Sequence, residues 1–239
     1  MTDFKKKLTC VVLGANGFIG AEVCNIARKM FTDVLEVDLV DSDLNIDVVN
    51  ETESLVKTIL QAGDNLYIIN LVGLNPKAEI LKQNSIADIE QYKSYIKVNL
   101  DYPVLLATKL VACAINNPNK KIDLCLLGSM YATFSANKNL YPGTQSKDLG
   151  YLVSKNGLSG LIRGMNSQYL PDNFRINMVN PGAVENDEMP DDFKENFVKI
   201  TGGKLNSVSE VASFLCNLGM SYQSLYNGSI IDITGGVYV

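Results

Sequence analysis

The amino-acid sequence predicts a doubly wound α/β fold, a parallel sheet of about seven strands with helices on both faces (a Rossmann fold), in a single domain spanning residues 1–239. Three observations carry that expectation. Apolar runs of strand length alternate with amphipathic helical patterns along the chain, without repeats or low-complexity linkers. The first run, residues 8–13, breaks directly into Gly14, Gly17 and Gly20, and a helical pattern begins at once. Residues 66–72, Leu-Tyr-Ile-Ile-Asn-Leu-Val, are apolar but for Asn70, as suits a parallel strand covered on both faces.

The first element is the strand at 8–13, followed by a helix with Phe18, Ile19, Val23, Ile26 and Ala27 on one face. Strand, glycine turn and helix in that order gather backbone N–H groups and the positive end of a helix dipole at one point, which favours a phosphate. Gly14 lets the chain turn tightly, Gly17 lets a pyrophosphate approach the backbone, and Gly20 lets helix and strand pack closely. A tight βα turn without a ligand uses the same pattern, so the flanking residues matter. The second strand, 34–39, holds Asp38, 18 positions after Gly20 and near the spacing at which an acid reaches an adenosine ribose. A carboxylate accepts hydrogen bonds from both ribose hydroxyls and repels a 2′-phosphate. Ala15, Asn16 and Leu39 offer no cation for one, so NAD is expected rather than NADP.

A short strand at 45–49 holds Asp47, and a helix follows at 51–62 with Leu55, Val56, Ile59 and Leu60 inward. After the strand at 66–72, a loop to about Ser85 leads into a long helix, 86–116, with a bend expected near Tyr102-Pro103, where Pro removes a backbone donor. Periodicity leaves Asn99, inside that helix, open between a solvent-facing and a functional role. The strand at 122–127 ends in Gly128-Ser129, and a loop at 130–149 follows, longer than most connections in a compact domain. Such loops at the carboxyl ends of strands are where substrates sit; this one is equally consistent with plain exposure. A helix at 150–170, a strand at 174–179, an acidic segment at 185–204 with a short helix at 191–200, a helix at 207–220 and a strand at 229–233 complete the pattern. Ser207 with Glu210 three residues on reads as a capping box.

Composition excludes several function classes. The net charge of −5 argues against nucleic acid as the main partner. No apolar run approaches the roughly 18 to 20 residues of a membrane span, and the Lys triplet at residues 5–7 leads into a nucleotide motif rather than a signal peptide, so a cytoplasmic protein is expected. The five cysteines, Cys10, Cys24, Cys113, Cys125 and Cys216, are scattered singly without CxxC spacing and read as reduced core thiols. Histidine is absent from the chain, which removes Ser-His and Cys-His hydrolases and the common His metal sites. No metal is expected, and acid-base work falls to Tyr, Lys or carboxylates.

Tyr151 and Lys155 stand four apart at the start of a helix and project from one face. A phenol with a pKa near 10 is a poor catalyst at neutral pH unless a cation favours the phenolate, and a lysine one turn away supplies that field. The same spacing is common among surface pairs; Ser129, at the carboxyl end of a strand on the edge that carries the glycine loop, favours the functional reading.

With Gly14-Ala-Asn-Gly-Phe-Ile-Gly20, Asp38, Asp47-Val48, Asn70-Leu-Val-Gly73, Val98-Asn99-Leu100, Ser129, Tyr151-Leu-Val-Ser-Lys155, Asn180-Pro-Gly182 and Asp232-Ile-Thr-Gly-Gly236 in place, the chain resembles the short-chain dehydrogenase/reductase family over essentially its whole length. The resemblance implies a catalytic set of Asn99, Ser129, Tyr151 and Lys155. Tyr151 would exchange the proton, Ser129 would orient the carbonyl or alcohol, Lys155 would lower the phenol pKa and bind the nicotinamide ribose, and Asn99 would hold a water on a proton relay. It also implies cofactor contacts at Gly14, Asn16, Gly17, Phe18, Ile19, Gly20 and Asp38, at Asp47 and Val48 for the adenine, at Asn70, Leu71, Val72 and Gly73 along the cleft, and at Pro181, Gly182 and Val184 near the nicotinamide. A homo-oligomer, tetramer or dimer, built on the long helices is a further implication.

The chain departs from the pattern in places. The GxxGxxG spacing is more usual in the family's larger sugar-nucleotide epimerase branch, whereas chain length and the Gly-Gly ending fit the smaller one. Ser129 precedes Tyr151 by 22 residues, more than in the smaller reductases, and Asn186 stands where a Thr commonly bonds the carboxamide. The long Ser-to-Tyr loop and the acidic segment after Asn180 are similar to a subset associated with bacterial surface-polysaccharide and flagellin-glycan synthesis. The expectation is therefore an NAD-dependent oxidoreductase acting on a secondary alcohol or ketone, on a sugar or nucleotide sugar. An NAD-retaining epimerase or dehydratase and a non-catalytic dinucleotide-binding regulator are the rivals.

Overall fold

The computed structural model describes residues 8–75, 79–80, 88–134, 138–141, 145–168, 170–220 and 226–237. In chain order the elements are β1 (Thr9–Leu13), α1 (Phe18–Met30), β2 (Asp33–Asp38), β3 (Leu44–Asn45), α2 (Thr52–Gln61), β4 (Asn65–Asn70), β5 (Glu79–Ile80), α3 (Ile89–Ile96), α4 (Tyr102–Asn116), β6 (Lys121–Leu127), β7 (Gln145–Ser146), α5 (Leu149–Gln168), β8 (Phe174–Pro181), α6 (Asp191–Thr201), α7 (Val208–Met220) and β9 (Ile230–Ile233). Seven strands form one all-parallel sheet in the order β3-β2-β1-β4-β6-β8-β9. The chain winds outward from β1 through β2 and β3, then crosses back to β4 beside β1. The carboxyl ends of β1 and β4 therefore diverge into the crevice where such sheets bind ligands.

Alternation along each strand feeds two cores. Val11, Leu13 and Ile68 pack with Leu55, Ile59, Leu106, Leu110, Leu158 and Ile162 on the side of α2, α4 and α5. Cys10, Val12, Tyr67 and Ile69 pack with Val23, Ala27, Val211 and Leu215 on the side of α1 and α7. The thiols of Cys10, Cys24, Cys125 and Cys216 are free and buried in the second core, and the free Cys113 is half-buried. Tyr67 belongs there too, donating its phenolic hydrogen to the Leu215 carbonyl at 2.7 Å. A Cβ at Gly219 would lie 2.2 Å from the Tyr67 ring, so glycine lets α7 approach the sheet.

Several local expectations are corrected. The strand expected at 45–49 ends at Asn45, because Asp47 turns the chain: its carboxylate accepts from the amides of Val49 (3.1 Å) and Asn50 (3.2 Å). The irregularity of the long helix falls one turn before Pro103, as a π turn at Lys97–Asp101 in which the Tyr102 amide reaches the Lys97 carbonyl. That helix, described from Ile89 to Asn116, is long and apolar enough to cross a membrane by length and composition, contrary to the reading of the sequence. Its apolar character serves the core, where Leu106, Ala107 and Leu110 are fully buried. The capping box forms as expected: Glu210 Oε2 accepts from the Ser207 amide at 2.9 Å and Ser207 Oγ accepts from the Glu210 amide at 3.2 Å. Lys5 to Lys7, the expected helix start at Ile86, and residues 135–137 and 142–144 of the long loop, Asn137 among them, lie outside the described residues.

The antiparallel pair β5–β7 has no counterpart in the sequence reading. It joins the loop after β4 to the long loop after β6, across the mouth of the crevice.

Candidate active site

A cleft of about 350 Å³ opens at the carboxyl edge of the sheet. Its floor at one end is the glycine turn. Gly14 takes φ +84°, a left-handed conformation that glycine adopts without strain, and its amide donates to the Val37 carbonyl at 2.9 Å. A Cβ at Gly20 would lie 2.0 Å from the Gly14 carbonyl oxygen, so the start of α1 sits directly on the turn. Gly17 caps α1 without a side chain, and no acid occupies the first helical turn, which leaves that end electropositive towards the cleft. Beyond the turn, Asp38 accepts from the amides of Asn16 (Oδ2, 2.8 Å) and Leu39 (Oδ1, 2.7 Å), while Asn16 Nδ2 donates to the carbonyls of Val40 and Asp41. The carboxylate is thus fixed beside a surface on which Leu39 and Val40 are exposed.

These features fit a dinucleotide: a cradle that side chains would fill, a helix N-terminus aimed at it, and an anchored carboxylate one strand over. Among the described residues Asn70 Oδ1, at the end of β4 next to the turn, is buried and has no hydrogen-bond partner.

The other end of the cleft holds the catalytic candidates. Asp148 Oδ1 accepts from the amides of Gly150 (2.7 Å) and Tyr151 (3.3 Å), starting α5 so that Tyr151 and Lys155 face the cleft one turn apart. Ser129 sits at the end of β6, held from behind: its amide donates to Asn180 Oδ1 (3.1 Å), and Asn180 Nδ2 in turn donates to Asp232 (2.9 Å) and Thr133 (3.2 Å). A Cβ at Gly128 would fall 1.9 Å from Asn180 Oδ1, which explains the glycine before the serine. The Tyr151 ring is gripped edge-on by Tyr95 and Tyr131, with ring centroids 6.4 Å away in each case.

The electrostatics differ from the expected picture. Burial pushes the Tyr151 phenol up to about 12, opposed by its hydrogen bond with Ser129. Lys155 is itself pushed down to about 8 by burial, and its Nζ donates to the Leu127 carbonyl at 3.1 Å, 5.8 Å from the Tyr151 ring centroid. The expectation that Lys155 makes the phenol acidic is therefore corrected for the chain by itself: burial holds the phenol above and the lysine below its ordinary value, and the phenol keeps its proton.

That burial makes a stability prediction. Up to pH 8 the folded chain carries the Lys155 charge in a site that disfavours it. Between 8 and the ordinary lysine value near 10.5 the unfolded chain is charged and the folded chain is not, so the group adds stability as pH rises through that window. Lys155→Met is expected to stabilise the cofactor-free protein at pH 7 by up to about 3 kcal/mol and to lose that advantage by about pH 10.5. Thermal unfolding across pH checks it; a lowered Tm at pH 7 contradicts it.

Other residues named from sequence fall as follows. Gly14, Gly17, Phe18, Ile19, Gly20, Leu71, Gly73, Pro181, Gly182, Val184 and Asn186 line the cleft. Asn99 does not: at the π turn, its Oδ1 accepts from the Leu74 amide (2.7 Å) and its Nδ2 donates to the Leu74 carbonyl (2.9 Å), which braces the loop after β4. Asn70 and Val72 are packed behind the cleft wall instead of along it. Asp47 and Val48 lie beyond the cleft, the Asp47 carboxylate held by its own turn and Val48 buried in the core.

The sequence reading did not single out Lys147, Asn75, Met189 or Phe193, all cleft residues, although Met189 and Phe193 fall in the segment 185–204 that it expects to close over the pocket, and it did not find the bracing role of Asn180. Lys147 is four residues before Tyr151, a helical spacing hidden because Lys147 lies in a polar loop.

The family model described as enoyl-(acyl carrier protein) reductase matches residues 9–238. L-xylulose reductase of Caenorhabditis elegans is 26% identical over a 254-residue alignment covering 98% of this chain and 96% of that protein. An uncharacterized short-chain type dehydrogenase/reductase of Sinorhizobium fredii is 29% identical over 94 residues, 37% of each chain. The matches to that protein, to 7alpha-hydroxysteroid dehydrogenase of Paraclostridium sordellii and to the human mitochondrial dehydrogenase/reductase SDR family member 2 span 37%, 35% and 63% of those proteins' lengths. Among solved structures, a short-chain dehydrogenase of Leptospira borgpetersenii with bound NAD+ superposes with a TM-score of 0.80 at 20% identity, covering 96% of this chain and 92% of that one. ElxO with NADP bound superposes with a TM-score of 0.76 at 15% identity, covering 96% and 98%. At these identities the structural likeness is one of fold. The family match over nearly the full chain, on the sheet and the Ser129, Tyr151 and Lys155 arrangement described above, shows that the chain belongs to the short-chain dehydrogenase/reductase family of oxidoreductases.

Proposed function

We propose that the protein is an NAD-dependent oxidoreductase that interconverts a secondary alcohol and a ketone. The observation that carries this reading is the convergence of Ser129, Tyr151 and Lys155 in one cleft with the glycine cradle. Nicotinamide, when bound, supplies or accepts the hydride. Tyr151, protonated at the start, gives its hydrogen to the ketone oxygen as an alkoxide forms and takes it back in the reverse direction. Ser129 holds that oxygen against the phenol, with Asn180 fixing the serine backbone. Lys155 draws its charge towards the phenolate and the nicotinamide ribose.

Asp38 supports NAD over NADP, since its anchored carboxylate would face a 2′-phosphate. Asp38→Asn removes the charge and keeps one of the two acceptors that hold Asn16 and Leu39, and is expected to reduce the preference for NAD over NADP by about tenfold. Paired Kd measurements check it; an unchanged ratio removes Asp38 from cofactor choice.

The substrate in this reading is a sugar or nucleotide sugar, of the kind used in surface-glycan synthesis, supported by the polar long loop at the mouth. The segment 185–204 covers the pocket through Met189 and Phe193, which excludes water, and Phe193 stacks on Tyr141 with centroids 5.7 Å apart. A cytoplasmic homo-oligomer, a tetramer or dimer, fits the exposed Leu105, Ile115 and Val153 on the long helices. The GxxGxxG spacing favours as a second reading an epimerase or dehydratase that retains its NAD. Incubation with NAD+ and a panel of sugars separates the two: free NADH appearing in step with product supports the oxidoreductase, and product without free NADH supports the alternative.

A further inference from the structure

Two phenols of the cleft have no part in the proposed chemistry. Tyr131 and Tyr141 both line it, and their buried hydroxyl oxygens lie 2.5 Å apart. Burial holds both groups above the ordinary phenol value, so each keeps its hydrogen. One of the two hydrogens makes the bond between them, in either direction, and the other has no acceptor within the pair. Among the described residues neither hydroxyl has a second partner. A hydroxyl hydrogen held in an apolar wall costs stability unless an acceptor meets it, and the wall around this pair includes Met130, Phe193 and Phe197.

The pair is fixed close to the reacting groups. The Tyr131 amide donates to Ser129 Oγ at 3.3 Å, and Asn156 Nδ2, from α5, donates to the Tyr131 carbonyl at 2.6 Å. The Tyr131 ring stands edge-on to Tyr151 with centroids 6.4 Å apart, and Tyr141 is braced from α6 by the Phe193 ring. A ketone oxygen held by Ser129 and Tyr151 therefore brings the carbons beside it towards the second set of hydroxyls.

We propose that the Tyr131–Tyr141 pair determines specificity by donating its free hydrogen to a hydroxyl on the substrate, one or two carbons from the carbon that exchanges hydride. This rests on the oxidoreductase reading and narrows it: the substrate is a hydroxyketone or the corresponding diol, as in a sugar ring, and not a simple ketone. A hydroxyl suits the pair because it accepts the free hydrogen and returns its own to a phenol oxygen. A carboxylate accepts only, and would turn negative charge on the phenol lone pairs. Because either phenol can be the inner donor, the free hydrogen can be presented from Tyr131 or from Tyr141 without moving a ring.

The test uses the full chain with NADH and pairs of ketones in which a methyl group replaces the hydroxyl. The pairs are 1-hydroxy-2-butanone with 3-pentanone, 4-hydroxy-2-butanone with 2-pentanone, and 2-hydroxycyclohexanone with 2-methylcyclohexanone. NADH titration comes first; failure of NADH to bind removes the oxidoreductase reading and the proposal with it. At least one hydroxyketone is expected to exceed its partner by about tenfold or more in kcat/KM for NADH oxidation. Tyr131→Phe/Tyr141→Phe removes both hydroxyls together and keeps both rings, and is expected to bring that pair within about threefold. NADH affinity is the control that the variant is folded. If the double variant loses it, Tyr141→Phe takes its place, with a fall in the ratio of at least about threefold expected. A merely structural role slows both members of a pair alike, so a ratio that survives the substitutions overturns the proposal, as do equal rates within every pair in the unaltered protein. NADH binding without reduction of any of the hydroxyketones overturns it too, and leaves the oxidoreductase reading standing for other substrates.

Discussion

Tyr151→Phe is expected to lower kcat by about 10³-fold while leaving NADH affinity within about twofold. The substitution removes one oxygen from a ring fixed by Tyr95 and Tyr131, so the cleft keeps its shape and loses its proton donor. In the cofactor-free cleft burial pushes the phenol up to about 12, which favours its protonated form. Because the substitution leaves the overall equilibrium unchanged, reduction and oxidation should lose kcat/KM by the same factor. Steady-state rates in both directions on one substrate check this. Turnover near the wild-type level would place the acid elsewhere in the cleft.

Gly20→Ala is expected to weaken dinucleotide binding by about 100-fold or more and to lower Tm, because the added carbon overpacks a backbone junction. Its Cβ would sit 2.0 Å from the Gly14 carbonyl oxygen and 2.9 Å from that of Ala15, so the start of α1 must lift off the turn. The N–H groups that would meet a pyrophosphate move with it. Calorimetric titration with NAD+ and thermal unfolding read the two effects together. Retention of wild-type affinity would show that the turn tolerates the displacement and that the cradle is not where the phosphates sit.

The parts of this architecture legible in the sequence are those set by local physics. The β1 run, the three glycines and the start of α1 are contiguous, so their joint geometry follows from strand, turn and helix periodicities. Tyr151 and Lys155 are one helical turn apart, which fixes their common face. Asp38 is legible because strand length determines where the carboxyl end of β2 falls. Features that depend on distant segments meeting were not legible. The β5–β7 pair joins two-residue strands, Glu79–Ile80 and Gln145–Ser146, too short to carry a periodic signal. Lys147 enters the cleft only because that pairing holds it there. Asn180 reaches across to the Ser129 amide through the register of β6 on β8, and Asn99 turns to Leu74 through a π turn that a helical pattern does not reveal. The phenol and lysine pKa values reverse the sequence expectation for the same reason. Spacing shows that a cation is near, whereas burial, which here decides the outcome, is a property of the assembled fold.

The account depends on a dinucleotide lying from the glycine turn across the ends of β1, β4 and β6, so that its reactive ring meets Tyr151. A crystal structure of the NAD+ complex measures this directly. The expected result has the pyrophosphate on the amides at Gly17 to Ile19 and nicotinamide C4 within about 5 Å of the Tyr151 hydroxyl oxygen, the range from which a bound ketone carbon is brought to attack distance. A nicotinamide ring turned out of the cleft, or a pyrophosphate seated away from the glycine turn, would contradict it.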